Sequence, residues 1–187
     1  MRVVGGKYRS RKLKTLRGMA LRPSSDRLRE TLFNILGPTI EGTIFVDLYA
    51  GTGAVGIEAL SRGAREVILV EKHAAAAALI RKNLESLGIK AGAELLATDA
   101  VRGLEWLVAR RVHAHFVFLD PPYAKADEYD RALDFLDRSA FLIPGGQVIV
   151  EHGKRMVLPE RLAQLERVRV VEQGDAVLSF YRLALAA

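Results

Sequence analysis

Residues 44–61 read IFVDLYAGTGAVGIEALS: a short apolar run, a glycine-rich turn and a second apolar segment at helical spacing. The pattern predicts a buried strand at Ile44–Leu48 and a helix at Ala54–Ser61. The turn satisfies the G-x-G-x-x-G motif through glycines at positions 51, 53 and 56. Because glycines let the backbone approach a ligand closely at the start of a helix, this stretch predicts a nucleotide-like ligand at the strand end.

The rest of the chain repeats this strand-then-helix alternation, with apolar runs bounded by glycines and polar turns. Buried parallel strands joined by helical crossovers form an open, doubly wound α/β sheet of the Rossmann-like kind. Further strands are predicted at Val67–Glu71, Glu94–Ala97, Phe116–Asp120 and Gln147–Glu151, and helices at Ala74–Leu87, around Gly103–Ala109 and at Glu128–Ser139.

The two ends of the chain depart from this alternation. Val168–Glu172 and Ala176–Leu183 face each other across a Gln-Gly-Asp turn, which predicts an antiparallel strand at the end of the sheet. Before the first strand, a helix is predicted to start at a Ser24-Ser25 cap and to stop at Gly37-Pro38. Alternating apolar and basic residues in Arg2–Leu16 predict a short N-terminal β-hairpin. The predicted fold is therefore α/β, with a seven-stranded, mostly parallel sheet and a C-terminal antiparallel hairpin.

The positive charge is concentrated at the N-terminus. The chain has a net charge of +6, and residues 1–30 hold ten Lys or Arg against two acidic residues. Such a segment is typical of an attachment that binds a polyanion, because Lys and Arg gain affinity from phosphate contacts and counterion release. A solvated charged face is the alternative. We predict a basic arm at residues 1–20 and a main domain at residues 21–187. The candidate RNA-binding residues are Lys7, Arg9, Arg11, Lys12 and Arg22.

The composition limits the classes of function. Among 187 residues there is no cysteine, which excludes disulfides, thiolate metal sites and cysteine nucleophiles. No apolar run approaches the roughly 18 to 20 residues that span a bilayer, so a cytoplasmic protein without a membrane partner is expected. The four histidines do not converge with carboxylates at ligand spacing, so no metal site is expected. A monomer is expected.

Acidic residues follow three successive predicted strands, where ligands of such sheets bind. Glu71 lies where a ribose-binding acid is expected. Asp47 would repel a pyrophosphate but suits the ammonium of a methionine moiety, which favours an adenosyl ligand over a dinucleotide. Asp99 offers an acceptor for an adenine amino group, or caps the next helix. The predicted ligand is S-adenosyl-L-methionine, and its candidate contacts are Asp47, Gly51, Gly53, Glu71 and Asp99.

The tetrapeptide Asp120-Pro121-Pro122-Tyr123 ends the fourth predicted strand. Two prolines hold the backbone extended and leave its carbonyls for outside partners. The Asp120 side chain and the Pro121 carbonyl can accept both hydrogens of one amino group, while the ring of Tyr123 offers a stacking surface for a base. Drawing those hydrogens aside would direct the nitrogen lone pair toward a methyl donor. These four residues are the predicted catalytic platform.

An aspartate-proline-proline-tyrosine motif after a glycine loop resembles the methyltransferases that act on amino groups of adenine, cytosine or guanine. More narrowly, the segments at residues 5–13, 21–34 and 50–63 resemble the bacterial RsmD family over nearly the whole chain. The resemblance implies a class I methyltransferase fold and methylation of guanine N2 at position 966 of 16S ribosomal RNA. It also implies a small ribosomal subunit, or an assembly intermediate, as partner. Tyr49 stands where many methyltransferases have a first glycine, and amino-group methyltransferases often carry an aromatic residue there, so Tyr49 joins the candidate donor contacts.

Three other functions fit parts of the sequence. Methylation of adenine N6 in DNA or RNA would use the same tetrapeptide, since the motif holds an amino group without identifying the ring. An RNA-binding assembly factor without activity would use the basic arm but leave the tetrapeptide unexplained. A nicotinamide-dependent oxidoreductase would use the glycine loop and is disfavoured by Asp47.

Overall fold

The computed structural model describes residues 1–15, 26–122 and 125–184. Three predicted features lie outside the described residues: the Ser24-Ser25 cap, Arg22 and Tyr123.

The described residues form one seven-stranded sheet with helices on both faces, in the order β3-β2-β1-β4-β5-β7-β6. The strands are β1 Ile44–Asp47, β2 Glu66–Val70, β3 Ala93–Leu96, β4 Ala114–Leu119, β5 Leu142–Gly153, β6 Leu165–Gln173 and β7 Ala176–Leu183. The helices are α1 Asp26–Leu36, α2 Ala54–Ser61, α3 Ala74–Ser86, α4 Ala100–Ala109 and α5 Ala126–Arg138, with a short 3-10 helix at Gly37–Ile40. The predicted α/β fold is confirmed.

The central strands are buried on both faces, which explains their continuous apolar runs. Successive side chains of a strand point to opposite faces of the sheet. In β1, Phe45 packs with the cluster of α1 and α2, whereas Val46 packs with the cluster of α4 and α5. The neighbouring strands β2 and β4 both pair with β1 in parallel, so β1 is central. The carboxyl ends of these three strands therefore meet at one edge of the sheet.

The C-terminal hairpin is confirmed, and it lies at the end of the sheet as predicted. The antiparallel strand β7 pairs with both β5 and β6, so it lies inside the sheet and β6 forms the edge. The loop is only Gly174-Asp175, because Gln173 pairs with Ala176. Gly174 has φ of 61°, a conformation that glycine adopts without strain. The predicted Pro-Gly-Gly turn before the fifth strand lies within β5, where the pairing with β4 shifts register.

The N-terminal segment folds back on itself and docks on the domain. A single antiparallel bridge joins Arg2 to Lys12, so the predicted hairpin is present but has little regular ladder. Val3 and Leu13 are buried and pack with Ile57 of α2 and with Leu87 after α3. The segment is thus held by an apolar contact of its own.

Polar contacts add to this docking. The fully buried carboxylate of Glu58 accepts hydrogen bonds from the backbone N–H groups of Val4 and Gly5, both at 2.7 Å. Gly6 has φ of 74°, and a Cβ there would overlap the backbone carbonyl of Ser61. Glycine is required at this position because the two backbones approach too closely for a side chain.

Candidate active site

The glycine loop connects β1 to α2 and turns through two left-handed glycines, Gly51 with φ of 54° and Gly53 with φ of 78°. A Cβ added at Gly51 would meet nothing closer than the carbonyl oxygen of Tyr49 at 4.0 Å, so the space beside the loop is open to a ligand. Gly53 is the N-cap of α2 and has no side chain to cap the helix. This geometry fits the close backbone approach that a nucleotide-like ligand needs.

Asp47 supplies the missing cap of α2. Its Oδ2 accepts a hydrogen bond at 3.0 Å from the backbone N–H of Gly56, in the first turn of the helix, and the residue is 1% exposed. The first N–H groups of a helix have no partner within it, and a carboxylate there also interacts favourably with the helix dipole. Asp47 therefore holds the glycine loop against β1. Contact with a donor ammonium stays a prediction.

Glu71 follows β2 and joins the same edge. Its Oε2 accepts from the N–H of Gly51 at 2.8 Å and its Oε1 from the N–H of His73 at 2.7 Å. The residue is buried. Glu71 and the glycine loop are thus in direct contact, as expected of residues that share one ligand.

Asp99 caps α4. Its Oδ1 accepts from the N–H of Val101 at 3.1 Å, which is the alternative interpretation that the sequence allowed. Arg131 of α5 approaches the same oxygen at 3.9 Å. Asp99 lies at the end of β3, two strands from β1, and a contact with an adenine amino group stays a prediction.

The tetrapeptide begins where β4 ends, beside β1, since Asp47 pairs with Phe118 two residues before Asp120. Asp120 is partly exposed, Pro121 is buried and Pro122 is exposed. The structure therefore brings the start of the predicted acceptor platform next to the strand that carries the glycine loop.

The proline carbonyls were expected to face outside partners, and the structure corrects this. The Pro121 carbonyl accepts from the hydroxyl of Tyr129 at 3.2 Å, and the Pro122 carbonyl accepts from the N–H of Lys125 at 2.9 Å. A carbonyl oxygen has two lone pairs, so one internal partner does not by itself exclude a second hydrogen bond. The Tyr129 hydroxyl also lies 3.3 Å from the carbonyl oxygen of Glu151 on β5. This buried tyrosine fixes the platform and was not predicted from the sequence.

A second polar network also escaped the sequence prediction. Glu128 of α5 is buried and accepts from Lys72 Nζ at 2.8 Å and from the Tyr49 hydroxyl at 3.2 Å. Burial opposes ionisation of Glu128, but the hydrogen bond and charge of Lys72 outweigh it and hold the pKa of Glu128 below its usual value. Burial and the nearby Glu128 raise the pKa of Tyr49, which keeps the phenol a hydrogen-bond donor. The network links the helix after the tetrapeptide to the loop after β1.

Asp47 also has a strongly shifted pKa. Burial first, and then the nearby carboxylates of Glu71 and Glu151, raise the pKa of Asp47 to about 7 against the hydrogen bond from Gly56. A cation placed among these acids would relieve their repulsion, because opposite charge favours the ionised form. The site is thus suited to a positively charged ligand group.

The stability of the protein is expected to depend on Asp47 as pH changes. Its carboxyl binds a proton more tightly in the folded chain, with a pKa of about 7, than in the unfolded chain, where the ordinary value is 3.8. The stabilisation is complete below about pH 4 and is lost as pH rises through about 7, a change on the order of 4 kcal/mol. Asp47→Asn keeps an oxygen for Gly56 but does not titrate.

Urea unfolding at pH 5 and pH 8 checks this expectation. Between these values the wild type should lose more stability than Asp47→Asn, so the variant gains relative to the wild type at pH 8. Parallel losses in the two proteins would show that another group titrates in this range.

Comparison with known proteins places the chain in a family. The family model described as "Conserved hypothetical protein 95" matches residues 1–182. Ribosomal RNA small subunit methyltransferase D of Haemophilus influenzae is 35% identical over 187 residues, which cover 98% of this chain and 92% of that protein. The Escherichia coli K12 protein of the same name is 36% identical over 183 residues, which cover 97% of this chain and 89% of that protein. The chain belongs to the RsmD family.

A solved structure agrees with this assignment. The structure of yhhF from Escherichia coli matches the RsmD-family chain with a TM-score of 0.84 at 31% identity, covering 98% of this chain and 97% of that chain. The likeness includes the N-terminal segment, since nearly the whole of both chains is matched.

Four of the candidate RNA-binding cations lie on the docked N-terminal segment of this RsmD-family protein. Lys7, Arg9, Arg11 and Lys12 are all exposed. Arg11 donates to the backbone carbonyl of Ser86 at the end of α3, at 2.9 Å. The arm therefore presents its charges from a fixed position beside α2 and α3.

Within residues 1–15, 26–122 and 125–184, no group of three or more histidine, cysteine or acidic side chains is placed to hold a metal ion. In the same part of the chain, none of the helices combines the length and apolar character needed to cross a bilayer.

Proposed function

We propose that this protein transfers a methyl group from S-adenosyl-L-methionine to the N2 amino group of guanine 966 in 16S ribosomal RNA, within the small subunit or an assembly intermediate. The observation that carries the proposal is the placement of the Asp120-Pro121 platform beside the strand of the glycine loop. Membership of the RsmD family supports ribosomal RNA as the substrate, since the relatives are named ribosomal RNA small subunit methyltransferase D.

Donor binding is assigned to the edge formed by β1, β2 and β3. When bound, S-adenosyl-L-methionine supplies a methyl group on a positively charged sulfur, which is the electrophile of the reaction. The acids Asp47 and Glu71 suit its positive charge and its ribose hydroxyls. Gly51 leaves open space beside the loop, so the backbone can approach the ligand. Asp99 is assigned to the adenine amino group through its second carboxylate oxygen.

Base binding is assigned to the tetrapeptide. The two hydrogens of the amino group are assigned to Asp120 and to the Pro121 carbonyl, and stacking on the base is assigned to Tyr123. Holding both hydrogens keeps the nitrogen lone pair directed at the methyl carbon, which favours in-line displacement. A nitrogen–carbon bond would form as the carbon–sulfur bond breaks, with the electron pair left on the sulfur of neutral S-adenosylhomocysteine. The nitrogen would lose one proton, either to Asp120 or to water. The target base has to be unpaired or flipped to reach this edge.

A methyl-transfer assay with labelled donor, naked 16S RNA and small-subunit particles tests the proposal. Nucleoside mass spectrometry is expected to find N2-methylguanosine, and mapping is expected to place it at position 966. N6-methyladenosine would instead establish the adenine alternative. A protein that binds RNA but shows no affinity for the donor by calorimetry would establish the non-enzymatic assembly factor.

A further inference from the structure

Asn83 of α3 is completely buried and joins two segments that are far apart in the sequence. Its side-chain nitrogen donates to the carbonyl of Thr52 at 2.9 Å and to the carbonyl of Lys14 at 3.2 Å. Its side-chain oxygen accepts from the N–H of Lys14 at 2.8 Å. Both the donor group and the acceptor group of this side-chain amide are thus hydrogen-bonded, so the side chain has a single orientation.

The two segments that Asn83 joins are the glycine loop and the N-terminal arm. Thr52 lies between the two left-handed glycines of the loop, where the open space for the donor begins. Lys14 directly follows Leu13, the buried residue that seats the arm on α2 and α3. A shift of the arm at Lys14 therefore reaches the loop through one rigid, buried side chain. The arm also contacts the loop directly, since the Thr52 hydroxyl donates to Met1 Sδ at 3.5 Å.

We propose that Asn83 is a positioning residue that couples the seating of the N-terminal arm to the conformation of the glycine loop, so that a seated arm favours donor binding. The proposal rests on the proposed function insofar as it takes the donor site to be the glycine loop. Coupling of this kind is reciprocal: the donor also favours the seated arm, which presents the cations assigned to RNA.

The physical reason lies in the burial of the amide. The Thr52 carbonyl loses its donor if Asn83 is replaced by an apolar side chain, and a buried carbonyl without a partner is costly. The loop then relaxes toward solvent, and part of the donor binding energy is spent on ordering it again. The same relaxation would move Thr52 away from Met1 as well as from residue 83, so the arm no longer influences the donor.

A double-mutant cycle with the dissociation constant of S-adenosylhomocysteine as readout tests the coupling. In calorimetry, Asn83→Leu is expected to weaken binding about tenfold, and Leu13→Ala, which loosens the arm without touching the loop, about threefold. The double variant should bind no more weakly than Asn83→Leu alone. Asn34→Leu, an exposed asparagine on α1, is the matched control and should leave binding unchanged.

Each outcome decides the proposal. Independent effects that multiply in the double variant overturn the coupling while leaving the proposed function intact. A wild type that does not bind S-adenosylhomocysteine overturns both. Thermal unfolding confirms that each variant is folded. Where Asn83→Leu is not, Asn83→Ala removes the amide without adding bulk or charge, and where Leu13→Ala is not, Val3→Ala loosens the same contact. The cycle is then judged by the same criterion.

Discussion

Asp120→Ala is expected to lower kcat for methyl transfer by about a thousandfold while the dissociation constant of the donor stays within about threefold of the wild type. The carboxylate is assigned to one hydrogen of the target amino group, and that contact gains its value as the nitrogen attacks. Asp120 begins the loop after β4, whereas the donor residues follow β1 and β2. Single-turnover methylation with labelled donor, together with calorimetry of donor binding, measures the two effects separately.

A second substitution at the same position separates two roles of the carboxylate. Asp120→Asn keeps one oxygen that can accept a hydrogen bond but removes a group that can take a proton. If Asp120 acts as an acceptor, the asparagine variant should retain activity within about tenfold, since a charged hydrogen bond is roughly twice as strong as a neutral one. Activity as low as that of the alanine variant would instead assign proton transfer to Asp120.

An acidic residue nearby provides the control for these variants. Asp127 lies in the first turn of α5 and is exposed. Asp127→Ala removes the same charge a few residues away and should change kcat less than twofold. If Asp120→Ala retained its turnover, the role of Asp120 in holding the target amino group would be contradicted. If Asp127→Ala lost as much activity as Asp120→Ala, the effect would come from the loss of negative charge alone.

The sequence predicts the strands and the glycine loop well because their signals are local. Buried parallel strands need continuous apolar runs, and the turn at residues 51–56 needs glycine where φ is positive. The order of the last two strands was harder to predict. A hairpin pattern indicates that β6 pairs with β7, but it does not indicate which of the two strands also pairs with β5. The structure inserts β7, which is the more apolar and more buried of the two.

The polar part of the site was predicted less completely, and the reason is distance along the chain. Glu128 meets Lys72 across 56 residues, and Asn83 meets Lys14 across 69 residues. Neither pair has a spacing that a helix or a hairpin would produce. From the sequence alone, Glu128 on α5 is therefore interpreted as an ordinary solvated residue. Glu128 and Asn83 stand out as site residues only because they are buried. Their burial follows from the packing of the whole fold, which the local sequence pattern does not indicate.

The arm is expected to supply most of the affinity for RNA. Replacing its four described candidate RNA-binding cations by glutamine should weaken binding of 16S RNA about a hundredfold or more at about 0.1 M salt. Each phosphate contact to a single strand contributes roughly 0.7 to the slope of log affinity against log salt, so the slope should fall by about 3. The variant is Lys7→Gln, Arg9→Gln, Arg11→Gln and Lys12→Gln. Its donor affinity should hold, since the buried Val3 and Leu13 hold the arm in place and Arg11 adds only an exposed hydrogen bond to Ser86.

A matched variant decides whether the effect belongs to the arm or to total charge. Four exposed cations elsewhere in the described chain can be changed to glutamine with the same loss of charge: Lys90, Arg155, Arg161 and Arg169. Filter binding across a salt series should then show a change of less than about threefold. An equal loss in both variants would mean that RNA is attracted by net charge without a fixed site. A loss confined to the arm variant would instead require that phosphates lie against residues 7–12, which places the RNA beside α2 and the glycine loop.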